Sequence, residues 1–319
     1  MRAAVLHELG KPPRFREFAE PAPEAGEVLI CVRAAAVKPV DKQMASGSHY
    51  ASPKALPVIC GLDGVGTLAD GKRIFFGGPR RPFGAMAERT VADEAFCFSV
   101  PDALDDATAA ALPNPGVSAF LVLTHNARLA KGESVLILGA TGVTGKLAVQ
   151  MARLLGASRI VGAGRNKDAL LQLRDLGADA TIQLEQHDVA LREAFAREWG
   201  ESGFDVVVDY VWGHPTEVFL SAITQSEFAA IGSETRLIQV GESAAPAISL
   251  PAAVLRSRAL TIRGTAGIPP RDALARAMQQ VLEWGATGVL TIETEQVALA
   301  EIEQAWQRTE RARRLVVIP

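Results

Sequence analysis

Cysteine is scarce: Cys31, Cys60 and Cys97 are the only three in 319 residues. Widely spaced and without a CxxC pair, they make neither a disulfide framework nor a thiol redox motif, which suits a reducing compartment. Excess charge of either sign is missing too. With 33 Lys+Arg against 36 Asp+Glu, the net charge is -3, leaving no basic surplus to meet nucleic-acid phosphates. Long apolar runs are also lacking. The longest uncharged stretch, Ala107 to Ala127, is broken by Pro113, Asn114, Pro115, Gly116, His125 and Asn126, so a lipid-facing helix is not expected there. Met1–Arg16 has no apolar h-region and carries Glu8, so no signal peptide is expected. These absences point to a cytoplasmic protein with neither a membrane nor a nucleic-acid partner. What is plentiful is core material: 48% of residues are apolar, enough for two domains.

The first hundred residues read as β structure. Arg2–Leu9, Arg14–Glu20 and Glu27–Val37 are short apolar or alternating runs between Pro and Gly clusters, and Asp70-Gly71 between Gly66–Ala69 and Lys72–Phe76 marks a hairpin. No helical period is evident before Asp105–Leu112. From Ser134 the pattern changes to strand and helix in alternation. Strands are expected at Ser134–Leu138, Arg159–Gly164, Ala180–Ile182, Phe204–Tyr210, Thr235–Gly241 and Leu260–Gly264. Between them, Val143, Leu147, Met151 and Leu155, and later Leu191, Phe195 and Trp199, recur at helical spacing. Such alternation means a parallel, doubly wound sheet. Two amphipathic helices and a short strand, Arg314–Ile318, follow. That tail is too small to stand alone, so it is expected to pack onto the β front half. One domain, 1–112 and 267–319, is thus interrupted by another, 113–266.

The richest motif is Gly139-Ala140-Thr141-Gly142-Val143-Thr144-Gly145, directly between a strand and a helix. Glycines there let the backbone turn tightly and approach a pyrophosphate held by amides at the helix N-terminus. A P-loop is excluded, because Ala140 stands at the first glycine position and Leu147 where Ser or Thr binds magnesium. An NAD enzyme places Asp or Glu at the end of the second strand to bind the ribose. Here the chain reads Gly164-Arg165-Asn166-Lys167, with Arg165 suited to a 2′-phosphate and Lys167 adding charge, so NADP(H) is the expected cofactor. Both cations also admit the plainer reading of solvated surface residues. Val240 and Gly241, ending a later strand, complete the candidate cofactor set.

These motifs, with the interrupted layout, resemble the medium-chain dehydrogenase/reductase superfamily, specifically its zinc-free quinone oxidoreductase (zeta-crystallin-like) branch. Met1–Leu9, Pro23–Val37, Lys38-Pro39-Val40-Asp41, Leu112–Phe120 and Gly132–Ala157 carry the likeness. The resemblance implies a GroES-like, mostly-β catalytic domain into which a Rossmann domain is inserted. It further implies hydride transfer from NADPH to a quinone or an activated alkene (enone), and assembly as a homodimer. Positions matching the metal ligands of zinc-dependent relatives are Lys38, Leu62 and Pro115, so no metal is expected; His7, His49, His125, His187 and His214 show no ligand spacing. Ser118, in the segment Asn114–Ser118, matches the region that meets the nicotinamide end. Lys38 matches a metal-ligand position and is the candidate oxyanion stabiliser, with Asp41 to hold it and Tyr50 to donate a proton. The alternative is that Lys38 pairs with Asp41 or Asp63 and only orders its loop. Two further readings stay open: an atypical short-chain reductase, whose Gly-Ala-Thr-Gly-x-x-Gly loop this one matches, and a non-enzymatic NADP(H)-binding structural or sensor protein.

Overall fold

A computed structural model describes residues 1–224, 234–265, 270–308 and 313–319. Along the chain come β1 (Arg2–Leu6), β2 (Arg14–Glu17), β3 (Glu27–Ala36), α1 (Pro39–Ser46), β4 (Val58–Ile59), β5 (Asp63–Thr67), β6 (Arg73–Gly77), β7 (Arg89–Asp93), β8 (Cys97–Ser99) and α2 (Asp106–Ala111). Ten-residue β3 organises them. It pairs antiparallel with β7 over Glu27–Cys31, with β5 over Cys31–Ala34, and with a late strand over Ala35–Ala36. The expected hairpin is β5–β6, with Asp70-Gly71 in its turn, Gly71 at φ 84° and Leu68 N–H bonded to Lys72 O at 3.0 Å. Asp105 caps α2, its carboxylate accepting from Thr108 N–H at 2.9 Å.

Helix α1 corrects the sequence expectation that no helix precedes Asp105. It has two turns and buries only Asp41 and Ala45, so it leaves almost no apolar period to read. Its start is fixed by polar chemistry instead. Pro39 occupies the first turn, and the Asp41 carboxylate accepts from the Lys38 backbone N–H at 2.8 Å.

The chain continues through α3 (Pro113–Leu121), β9 (Ser134–Leu138), α4 (Val143–Leu154), β10 (Arg159–Gly164), α5 (Lys167–Asp175), β11 (Ala180–Gln183), α6 (Asp188–Trp199), β12 (Val206–Asp209), α7 (His214–Ile223), β13 (Thr235–Gln239), α8 (Ala252–Ser257) and β14 (Leu260–Gly264). The strands form one parallel sheet in the order β11-β10-β9-β12-β13-β14. Order reverses between β9 and β12, and a crevice outside the strand ends at such a reversal is where open α/β sheets bind ligands. Strands β9 and β12 are apolar along almost their whole length because helices cover both faces. Trp199, Phe204 and Phe219 cluster under α6 and α7, with the Trp199 ring centroid 6.0 Å from each phenyl ring. The last elements are α9 (Arg271–Ala286), β15 (Thr294–Ala298), α10 (Ile302–Gln307) and β16 (Arg314–Ile318).

The chain divides into two compact units, Met1–Asn114 with Met278–Pro319, and Pro115–Ala277. The second division falls inside α9; the expected boundary at 266/267 lies outside the described residues. Strand β16 is the late partner of β3, with Val316 and Val317 opposite Ala36 and Ala35. Among the described residues, no helix is long and apolar enough to cross a membrane.

Candidate active site

In the second unit, β9 runs into the glycine loop and the loop into α4. Gly139 turns the chain at φ 86°, and its N–H and that of Ala140 both bond Ala163 O at 2.9 Å, tying the loop to β10. A Cβ at Gly145 would lie 2.6 Å from Ala140 Cα and press on Gly139 O, so only glycine lets α4 pack this close. Gly142 begins the helix with no side-chain cap, so the first-turn amides of Val143, Thr144 and Gly145 keep their donors for a ligand. Lys146 is buried and its ammonium donates to Gln172 Oε1 at 3.0 Å, which fits the exclusion of a P-loop.

At the end of β10, Gly164 is buried while Arg165 and Lys167 are exposed. A Cβ at Gly164 would stand 2.6 Å from Thr141 Oγ1 and against its methyl group. The Thr141 side chain of the glycine loop thus stands where a side chain at position 164 would begin. Asn166 caps α5, accepting from Ala169 N–H at 2.9 Å.

Sequence reasoning missed Asp209. Fully buried at 0% exposure, it ends β12 and accepts from Val211 and Trp212 N–H, each at 2.8 Å, and from Thr216 Oγ1 at 2.6 Å. Burial pushes its pKa up, against the three donors. Its backbone carbonyl accepts from Val240 and Gly241 N–H at 2.8 and 3.1 Å. The same turn carries Tyr210, whose Cβ lies 3.1 Å from where a Cβ on Gly139 would be, and whose buried hydroxyl has no partner among the described residues. Asp209 thus gathers Gly139, Tyr210, Val240 and Gly241 at the reversal between β9 and β12. A carboxylate closing the run Val206-Val207-Val208 was the available signal. The amide donors, the glycine packing and the unpartnered phenol fit a dinucleotide. Ser118 sits half-buried on α3; its assignment to the nicotinamide end rests on the family likeness.

The first unit holds a buried ionic cluster. Lys38 is 1% exposed, and its ammonium meets Asp63 Oδ1 at 2.8 Å, Ala36 O at 3.1 Å and Asp41 Oδ2 at 3.2 Å. Asp41 Oδ1 accepts from Leu62 N–H at 3.2 Å, Asp63 Oδ2 from Asn114 Nδ2 at 3.3 Å, and buried Arg314 donates to Val37 O at 3.1 Å. Burial alone would lower the Lys38 pKa; the two carboxylates overcome it and hold it above the ordinary lysine range. Two cations and two carboxylates leave this cluster electrically neutral. Beside it lies a recess of about 50 Å³, lined by Leu6, Asp41, Met44, Cys60, Leu62 and Phe83. Burial and nearby Asp41 push the Cys60 thiol pKa well up, so it is no nucleophile.

All three ammonium hydrogens of Lys38 face internal acceptors, an arrangement that favours the loop-ordering alternative over an oxyanion stabiliser. Asp41 lies in the same cluster, bound to the Lys38 and Leu62 backbone as well as to the ammonium. Tyr50 is 96% exposed and rests against the His49 ring, 4.1 Å between centroids, so the structure does not bring it into this buried cluster.

Comparison with known proteins bears on both units. The family described as zinc-binding dehydrogenase matches residues 143–284. Human quinone oxidoreductase is 28% identical over 287 residues, covering 86% of this chain and 78% of that protein. Quinone oxidoreductase of Lama guanicoe is 32% identical over 220 residues, 66% of each. The quinone oxidoreductase of Thermus thermophilus, whose structure is known alone and with NADPH, superposes at TM-score 0.82 with 28% identity over the whole of both chains. The chain belongs to the quinone oxidoreductase branch of the medium-chain dehydrogenase/reductase superfamily. Membership in this branch sets aside the short-chain alternative. It also raises the question of zinc, which the residues present do not fit. Lys38 offers a protonated ammonium already neutralised by two carboxylates, while Leu62 and Pro115 carry no donor side chain.

Proposed function

We propose that the chain is an NADP(H)-dependent oxidoreductase that transfers hydride to a quinone or an activated alkene without a metal. The observation that carries this reading is the cofactor platform of the second unit. It combines uncapped α4 amides beyond a tightly packed glycine loop, at the β9/β12 reversal, with Arg165 and Lys167 where an acid would select NAD. The relatives named quinone oxidoreductase, and the NADPH complex of the Thermus protein, support it.

When bound, the nicotinamide supplies the hydride. The chain's own residues bind and orient. The first-turn amides of α4 would hold the pyrophosphate and Arg165 and Lys167 the 2′-phosphate, while Asp209 fixes the Tyr210 and Val240–Gly241 backbone beside the loop. The first unit contributes rigidity, since its neutral cluster locks the Lys38–Asp41 turn to Asp63. Orientation of donor and acceptor then carries the rate, as hydride transfer to an enone or quinone needs no leaving group. The family likeness also supports a cytoplasmic homodimer, for which light scattering on the purified protein tests the assembly.

The deciding assay is NADPH consumption with a panel of quinones and enones, with NADH in parallel. Turnover with NADPH is expected. Tight NADPH binding without turnover on any acceptor favours the non-enzymatic binding reading instead.

A further inference from the structure

Resting on the NADP(H) reading, we propose that Gln183 is the positioning residue for cofactor selectivity, because it pins the peptide from which Arg165 reaches the 2′-phosphate. Gln183 ends β11 and stands in register opposite Gly164 of β10. The turn Gly164–Asn166 is anchored at each end by its own bond. Leu184 N–H donates to Gly164 O at 2.8 Å, and Asn166 Oδ1 accepts from Ala169 N–H at 2.9 Å. Between them, the Arg165 carbonyl accepts from Gln183 Nε2 at 2.8 Å. The clamp is itself fixed, since Gln183 O accepts from Gln186 Nε2 at 2.7 Å.

The amide's orientation follows from its partner: a carbonyl accepts only from the NH2 end, so Oε1 is the other atom. That Oε1 is buried with no donor among the described residues. A buried acceptor left unpaired costs stability that an apolar side chain would avoid. Glutamine therefore carries a cost here, and its side-chain donor goes to the Arg165 carbonyl. The guanidinium is exposed on a long, flexible stem, so the direction of its backbone root decides how much entropy a bidentate phosphate contact loses.

Isothermal titration of NADPH and NADH into wild type, Arg165→Ala, Gln183→Ala, Gln183→Met and the Arg165→Ala/Gln183→Ala pair tests this. Methionine keeps length and bulk and removes only the donor. Both Gln183 variants are expected to lower the NADPH:NADH affinity ratio about fivefold, the size of one neutral hydrogen bond. NADH affinity should hold, and the double variant should be no worse than Arg165→Ala. Equal weakening of both cofactors, or full additivity in the pair, overturns the proposal, as does an unchanged ratio in Gln183→Met. If Arg165→Ala itself leaves the ratio unchanged, the failure belongs to the NADP(H) reading, not to Gln183 alone.

Discussion

Replacing Lys38 with methionine removes the one ammonium shared by Asp41 and Asp63 while keeping the length of the side chain. The neutral cluster then carries one negative charge in excess, with Arg314 as its remaining cation. Breaking a buried pair from one side costs about 3–5 kcal/mol. Asp41 keeps the Lys38 and Leu62 backbone donors and Asp63 keeps Asn114, so the lower end applies: about 3 kcal/mol, or a fall in Tm on the order of 10 °C. Thermal and urea melts followed by circular dichroism measure it. Adding Asp63→Asn removes the surplus charge and should recover at least half the loss. Because the Lys38 pKa is raised on folding, its contribution is whole below the ordinary lysine value of about 10.4 and lost as pH climbs through the folded value. The gap between wild type and variant should therefore stay level from neutral to mildly alkaline pH and close only in strong alkali. Turnover of the folded variant should remain within about threefold of wild type, since no donor of Lys38 is aimed at substrate. Unchanged stability with turnover down about a hundredfold, the signature of a lost oxyanion donor, refutes this reasoning.

Gly164→Asp, the obvious route to an NAD enzyme, should destabilise the second unit by about 1–3 kcal/mol by driving a side chain into Thr141; a melt no lower than wild type contradicts the packing argument. Asp209→Asn must turn its NH2 toward either Thr216 or two backbone amides, so a loss of about 2 kcal/mol with weaker binding of both cofactors is expected by calorimetry. Dialysis against a chelator should leave NADPH oxidation unchanged, and stoichiometric zinc in elemental analysis contradicts metal independence.

Period and punctuation made the second unit legible. Leu147 and Met151 mark the buried face of α4, and Gly139 and Gly145 announce a strand-to-helix turn, because those positions answer to local rules. Helix α1 escaped because capping by Asp41, rather than an apolar face, defines it. Lys38 stayed open between two readings for a related reason. Its role depends on Asp63, 25 residues away, and Ala36 beneath it, and no spacing rule distinguishes a lysine with all donors engaged from one with a donor free. Asp209 was hidden likewise, since its partners are mostly backbone N–H groups, which leave no mark in residue identity.

The pairing of β3 with β16 has a consequence for biosynthesis. Arg314 reaches Val37 across 277 residues of sequence. The Pro115–Ala277 unit is contiguous and leaves the ribosome entire before β16 exists, so it is free to fold first. Throughout that interval the end of β3 at Ala35–Ala36 must wait without its partner strand, and Lys38, Asp41 and Asp63 are short of their second cation. Nascent chains stalled ahead of Arg314 should accordingly protect the second unit from protease while leaving the Ala35–Ala36 end of β3 open to chaperones and to strand exchange between neighbouring chains.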